Sequence, residues 1–140
     1  MINSIYKELI IDHGTKPRNY KEVENYTHKS EGYNETCGDR VIITLKIEDG
    51  NIIDAGFLGS GCAITKASAS LMIDALKNKN IKEVEKLFGA FHSMVTTDEV
   101  YNAEYLGKLT VFSDIKGFPA RVKCATMAWH TLIDALKNER

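Results

Sequence analysis

Three cysteines and one aspartate carry most of the chemistry open to this chain. Cys37 lies in Asn34-Glu35-Thr36-Cys37-Gly38-Asp39, a turn-rich segment. Cys62 follows Gly59-Ser60-Gly61, and Cys124 comes five residues after Pro119. A thiol near a helix start faces free backbone N–H groups and the positive end of the helix dipole, and both favour the thiolate. Thiolate is the form that binds metal and attacks sulfur. With the carboxylate of Asp39, three sulfurs complete a four-coordinate shell, and sulfur-rich tetrahedral shells suit zinc or an iron–sulfur cluster. Ligand type alone does not separate these two. Taken singly, each cysteine could equally be a small buried hydrophobe, and Asp39 a turn or cap residue.

These four residues meet only if the elements between them fold back on one another. Val41, Ile43, Leu45 and Ile47 lie on one face of a strand spanning residues 40–47. Asp49-Gly50 then supplies the positive φ angles of a tight hairpin, and Ile53, Ala55 and Phe57 continue on the returning strand. Strands of similar length return the chain to its start, so the ends carrying Cys37 and Cys62 share one edge of the sheet. Residues 21–34 read as a loop followed by an edge strand. A helix begins directly after Cys62, with Ile64, Ala67, Leu71, Met72, Ala75 and Leu76 as its apolar stripe up to Lys77. Before all of these, Ile5, Tyr6, Leu9, Ile10 and His13 outline an amphipathic helix that ends at Gly14 and Lys16-Pro17.

Asn80 and Glu83 form a capping box opening a short helix with Val84, Leu87 and Phe88 inward. From Phe91 to Leu109 the helical pattern is broken, with a second start at Thr97-Asp98-Glu99. Pro119 suits the first turn of a long final helix burying Ala125, Ala128, Trp129, Leu132, Ile133 and Leu136. Helix, strands, then helices predicts an α+β fold: a small antiparallel sheet of about three strands with helices packed on one face. The whole chain, 1–140, is expected to be a single domain, without internal repeat or linker.

Several functions are disfavoured. Net charge is −1 with no long basic run, so no nucleic-acid partner is expected. No apolar stretch reaches the roughly 18 residues of a membrane span, and no membrane association is expected. An odd number of cysteines, none in a Cys-x-x-Cys pair, argues for a reducing, cytoplasmic compartment over a disulfide-stapled secreted scaffold. Gly59 and Gly61 lack the Gly-Lys-Ser/Thr of a phosphate loop. His13 is read as a packing or locally bonded residue; His28 and His92 lack ligand spacing to any cysteine, and His130 lies off the face of Cys124. Tyr101 and Tyr105 read as packing residues. Arg121 and Lys123, close to Cys124, could help hold thiolate or carboxylate charge.

Together, Asp12-His13 with Pro17-Arg18-Asn19, then Cys37-Gly38-Asp39, Gly59-Ser60-Gly61-Cys62-Ala63-Ile64 and Arg121-Val122-Lys123-Cys124-Ala125 resemble the U-type iron–sulfur assembly proteins, the IscU/NifU-like family, over nearly the whole chain. Scaffold members of the family carry a histidine immediately before the third cysteine, whereas this chain has Lys123 there. That departure, with a longer segment between Cys62 and Cys124, resembles the SufU branch of zinc-dependent sulfurtransferases. The resemblance implies zinc ligation by Cys37, Asp39, Cys62 and Cys124, with Cys37 as the catalytic sulfur acceptor. It implies a cysteine desulfurase of the SufS type as donor and downstream iron–sulfur assembly proteins as recipients. Arg121 would be a docking or site-shaping residue. The alternatives are a scaffold binding a transient [2Fe-2S] cluster at the same four residues, and a passive structural zinc domain.

Overall fold

The long alternating run forms the centre of the sheet. A computed structural model describes residues 4–35 and 38–139 of the chain. Strand β2 (Asp39–Glu48) lies between β1 (His28–Asn34) and β3 (Asn51–Ser60), and both pairings are antiparallel. Val41, Ile43 and Leu45 of β2 are buried together with Ala55 and Phe57 of β3. Asp49 and Gly50 take φ angles of 53° and 78°, the two successive positive values that a two-residue turn needs to match strand twist. The hairpin is therefore as expected.

One face shift was not anticipated. Lys46 pairs with Asp54, but Ile47 pairs with Ile52, so Ile53 is an extra residue in β3. An added residue reverses the alternation beyond it. Ile52 is accordingly buried and Ile53 is exposed.

Helix α1 (Ser4–Thr15) ends where Gly14 and Lys16-Pro17 predict, and α2 (Ala63–Leu76) starts directly after Cys62. Of the expected α1 stripe, the side chains of Ile5 and Tyr6 lie outside the described ones; Leu9 and Ile10 are partly buried and His13 is buried. Helix α3 (Ile81–Thr96) opens with the Asn80/Glu83 capping box, each side chain bonding the other's backbone N–H. It is not short. Phe91, Met94 and Val95 prolong the stripe of Val84 and Leu87, so burial carries the helix through Gly89. Thr97 is then the C-cap of α3 instead of a second start. The next helix, α4 (Ala103–Leu106), is opened by Asn102, whose side chain accepts the Tyr105 N–H, and a 3₁₀ stretch follows over Gly107–Ile115.

The last helix, α5 (Pro119–Leu136), has Pro119 in its first turn. It packs across β1 and β2 and against α2, while α2 also lies on β3. Trp129 is fully buried and stacks on Phe91 with centroids 4.4 Å apart. Its indole N–H donates to Ser68 Oγ, whose hydroxyl donates in turn to the Ala125 carbonyl, so the polar atoms at this α2–α5 contact are paired. Ile133 and Leu136, expected in the core, are only partly buried. The result is the expected α+β fold: a three-stranded antiparallel sheet with helices packed against it.

Candidate metal centre

The hairpin register decides what meets at the open end of the sheet. Arg40 pairs with Ser60, which places Asp39, the first residue of β2, beside the Gly61-Cys62 step that leads into α2. Gly61 has φ 144°, and a Cβ there would fall inside the Asp39 carboxylate. Only glycine lets the backbone come this close. Cys62 is the N-cap residue of α2, but its own side chain makes no cap bond. The carboxylate of Asp39 binds the N-cap residue itself, with Oδ1 accepting the Cys62 N–H at 2.9 Å. A negative group at this end of the helix is favoured by the dipole.

Cys124 reaches the same point from α5. Its thiol donates to Asp39 Oδ2 at 3.3 Å, and Asn34 Nδ2 lies 3.9 Å from its sulfur. The ligand atoms of Asp39, Cys62 and Cys124 all fall within 4.8 Å of one another. Asp39 is fully buried, Cys124 is 4% exposed, and Cys62 faces solvent. Three of the four expected ligands thus converge. Cys37, with Thr36, lies outside the described residues; Asn34, opposite Asp39 in the β1–β2 pairing, and Gly38 bracket that segment.

The expectation that a helix start favours thiolate does not hold for Cys124. It is the sixth residue of α5, beyond the first turn, and burial pushes its thiol well above the ordinary range. The neighbouring Cys62 and Asp39 groups push it the same way. Among the described residues, no lysine, arginine or histidine forms an ion pair with Asp39. A fully buried carboxylate beside two thiols, with only neutral hydrogen-bond donors to it among the described residues, is short of positive charge. A thiophilic cation fits that donor set.

Thr65 escaped the sequence reading. It is fully buried in the first turn of α2, and its hydroxyl donates to Asp39 Oδ2 at 2.8 Å while lying 3.3 Å from Cys62 Sγ. The available signal was a polar residue three positions after Cys62, at the head of a stripe otherwise made of apolar and small residues.

The other flagged residues fall elsewhere. Arg121 stacks on the Phe118 ring at 4.5 Å, one turn from Cys124. Lys123 lines a cavity of about 540 Å³ between β1 and α5 with Asn34, Glu35, Met127 and His130. His13 bonds Ser70 Oγ at 2.7 Å inside the α1–α2 contact, as a packing residue should. His28 bonds Thr27 Oγ1, and His92 and His130 pack edge-on at 5.7 Å beside Phe88. Tyr105 carries Lys86 over its ring.

Comparison with known proteins adds family context to this geometry. The family model for the NifU-like N-terminal domain matches residues 5–125. The chain is 39% identical over 134 residues to the iron–sulfur cluster assembly scaffold protein IscU of Thermotoga maritima, covering 96% of this chain and 94% of that one. It is 36% identical over 138 residues to the zinc-dependent sulfurtransferase SufU of Bacillus subtilis, covering 99% and 93%. Its fold superposes with a TM-score of 0.87, at 33% identity, on the crystal structure of a candidate iron–sulfur cluster assembly scaffold protein for the SUF system from Fervidobacterium islandicum, covering 95% of this chain and 97% of that one.

Proposed function

We propose, from the premise that this chain belongs to the NifU-like N-terminal domain family of iron–sulfur cluster assembly proteins, that it is a zinc-dependent sulfurtransferase acting as one domain over residues 1–140. In this reading it accepts persulfide sulfur from a cysteine desulfurase and passes it to downstream iron–sulfur assembly proteins in the cytoplasm. The observation that carries the reading is the convergence of Asp39, Cys62 and Cys124 within 4.8 Å, at the sheet end where the sequence also puts Cys37. With Cys37 they would hold one zinc ion. Bound zinc supplies the positive charge that keeps such thiols deprotonated and guarded from disulfide formation.

Each residue then has a distinct part. Cys62 is fixed at the N-cap of α2 and Cys124 within α5, so both sulfurs belong to rigid elements. Cys37 stands next to Gly38, whose φ is 71°. Its thiolate attacks the outer sulfur of the desulfurase persulfide, a new S–S bond forms on Cys37, and the desulfurase cysteine leaves as thiolate. Asp39 remains in place throughout, held by the Cys62 N–H and Thr65.

Two observations bear on the choice of role within the family. Lys123 occupies the position before the third cysteine, and the relative at 36% identity is named a zinc-dependent sulfurtransferase. The relative at 39% identity is named a scaffold, which supports a transient [2Fe-2S] cluster on the same residues as the second reading. Anaerobic purification with metal analysis, followed by intact-mass measurement after exposure to desulfurase and cysteine, separates them. The sulfurtransferase reading predicts stoichiometric zinc, no visible absorption, and a mass gain of one sulfur atom that Cys37→Ala abolishes while remaining folded. A brown protein without persulfide would establish the scaffold reading. Zinc with neither persulfide nor faster alanine release would leave a passive zinc domain.

A further inference from the structure

The geometry points to Thr65 as the positioning residue of the metal centre, its hydroxyl fixing the Asp39 carboxylate between the two helical cysteines. This rests on the proposed reading of the site as a metal centre. Asp39 has two carboxylate oxygens and both are committed: Oδ1 to the Cys62 N–H at 2.9 Å, Oδ2 to the Thr65 hydroxyl at 2.8 Å and the Cys124 thiol at 3.3 Å. As a metal-ligating thiolate, Cys124 has no proton to give. Among the described residues Thr65 then remains as the donor to Oδ2, in a place where both Asp39 and Thr65 are 0% exposed and water does not substitute. The same hydroxyl oxygen lies 3.3 Å from Cys62 Sγ, so one side chain touches two of the ligands.

Its placement is set by the helix. Thr65 is the third residue of α2, one turn along from the N-cap Cys62, which brings its hydroxyl back over the Cys62 sulfur and the carboxylate at the helix end. Threonine keeps two common χ1 rotamers in a helix, and the one adopted here aims the hydroxyl at Asp39 Oδ2. Groups that orient metal ligands without touching the metal commonly change retention by about 10–100-fold when removed.

Thr65→Val keeps the shape and removes the hydroxyl; Thr65→Ser keeps the hydroxyl and removes the methyl. The test loads each full-length protein with Co²⁺ as a spectroscopic stand-in for zinc, records the visible ligand-field bands, and times zinc loss to a chelator. We expect shifted bands and about 10–100-fold faster loss for Thr65→Val, with Thr65→Ser close to the parent in both. Thr65→Val with the parent's bands and release rate, whatever its melting temperature, overturns the proposal. Failure of the underlying reading has a different signature: the parent, Cys62→Ser and Cys124→Ser proteins would bind Co²⁺ alike or not at all. Should Thr65→Val fail to fold, shifted bands in Thr65→Ser would also count against the proposal, because the hydroxyl is retained there.

Discussion

At the scale of single residues, the site depends on how closely a backbone can approach a carboxylate. Asp39 is fully buried against the Gly61-Cys62 step, and the space a Cβ at Gly61 would need is taken by its oxygens. Gly38, the residue immediately before Asp39 and also at positive φ, has open space around it. The two glycines therefore separate backbone strain from displacement of the ligand. Gly38→Ala should cost about 1–2 kcal/mol from left-handed strain alone and leave zinc retention near the parent's. Gly61→Ala should destabilise comparably or more, about 1–3 kcal/mol, and should also speed zinc loss to a chelator. Equal zinc retention in both variants would show that the close approach is unimportant for the metal. The three cysteines and Asp39 could be picked out by residue type, whereas Thr65 could not: its relevance comes from a contact with Asp39 across 26 positions of sequence.

At the scale of elements, turn chemistry was the most legible feature. Asp49-Gly50 fixes the hairpin, the hairpin fixes the register, and the register carries Asp39 to Cys62. What local pattern missed was settled by burial. The β3 bulge at Ile53 is invisible in the two adjacent isoleucines, Ile52-Ile53, because either could face inward. Helix α3 continues past Gly89 because Phe91 and Met94 reach the core, a gain that exceeds the roughly 1 kcal/mol helix cost of glycine. The α3 capping box offers a test of independence between elements. Asn80 bridges to Asn51, at the opposite end of β3 from Ser60 and the metal centre. Asn80→Ala should cost about 1 kcal/mol and lower the melting temperature by a few degrees, with zinc content unchanged. Loss of zinc in that variant would mean that the sheet transmits damage along its length.

At the scale of the whole molecule, the helices that carry Cys62 and Cys124 are held together by contacts that begin at the residue after Cys124. Ser68, Ala125 and Trp129 join α2 to α5, and His13 joins α1 to α2 through Ser70. Burial lowers the His13 pKa below its ordinary value, with Arg18 acting in the same direction. The unfolded chain therefore binds the proton more readily than the fold does. The stability due to neutral His13 is complete above the unfolded pKa, about 6.5, and is lost as pH falls through the lower folded value. Melting temperatures between pH 7.5 and 5.5 should fall more steeply for the parent than for His13→Gln in the same metal state; parallel curves would remove His13 from the acid response. No helix among the described residues is long and apolar enough to cross a membrane. The central claim is that a carboxylate and three sulfurs distant in sequence surround one ion. X-ray absorption at the zinc edge of the purified protein measures that shell directly. Three sulfurs at about 2.3 Å and one oxygen at about 2.0 Å are predicted, with one sulfur lost in Cys37→Ala. A shell of two sulfurs in the parent, or one unchanged by Cys37→Ala, would contradict the account.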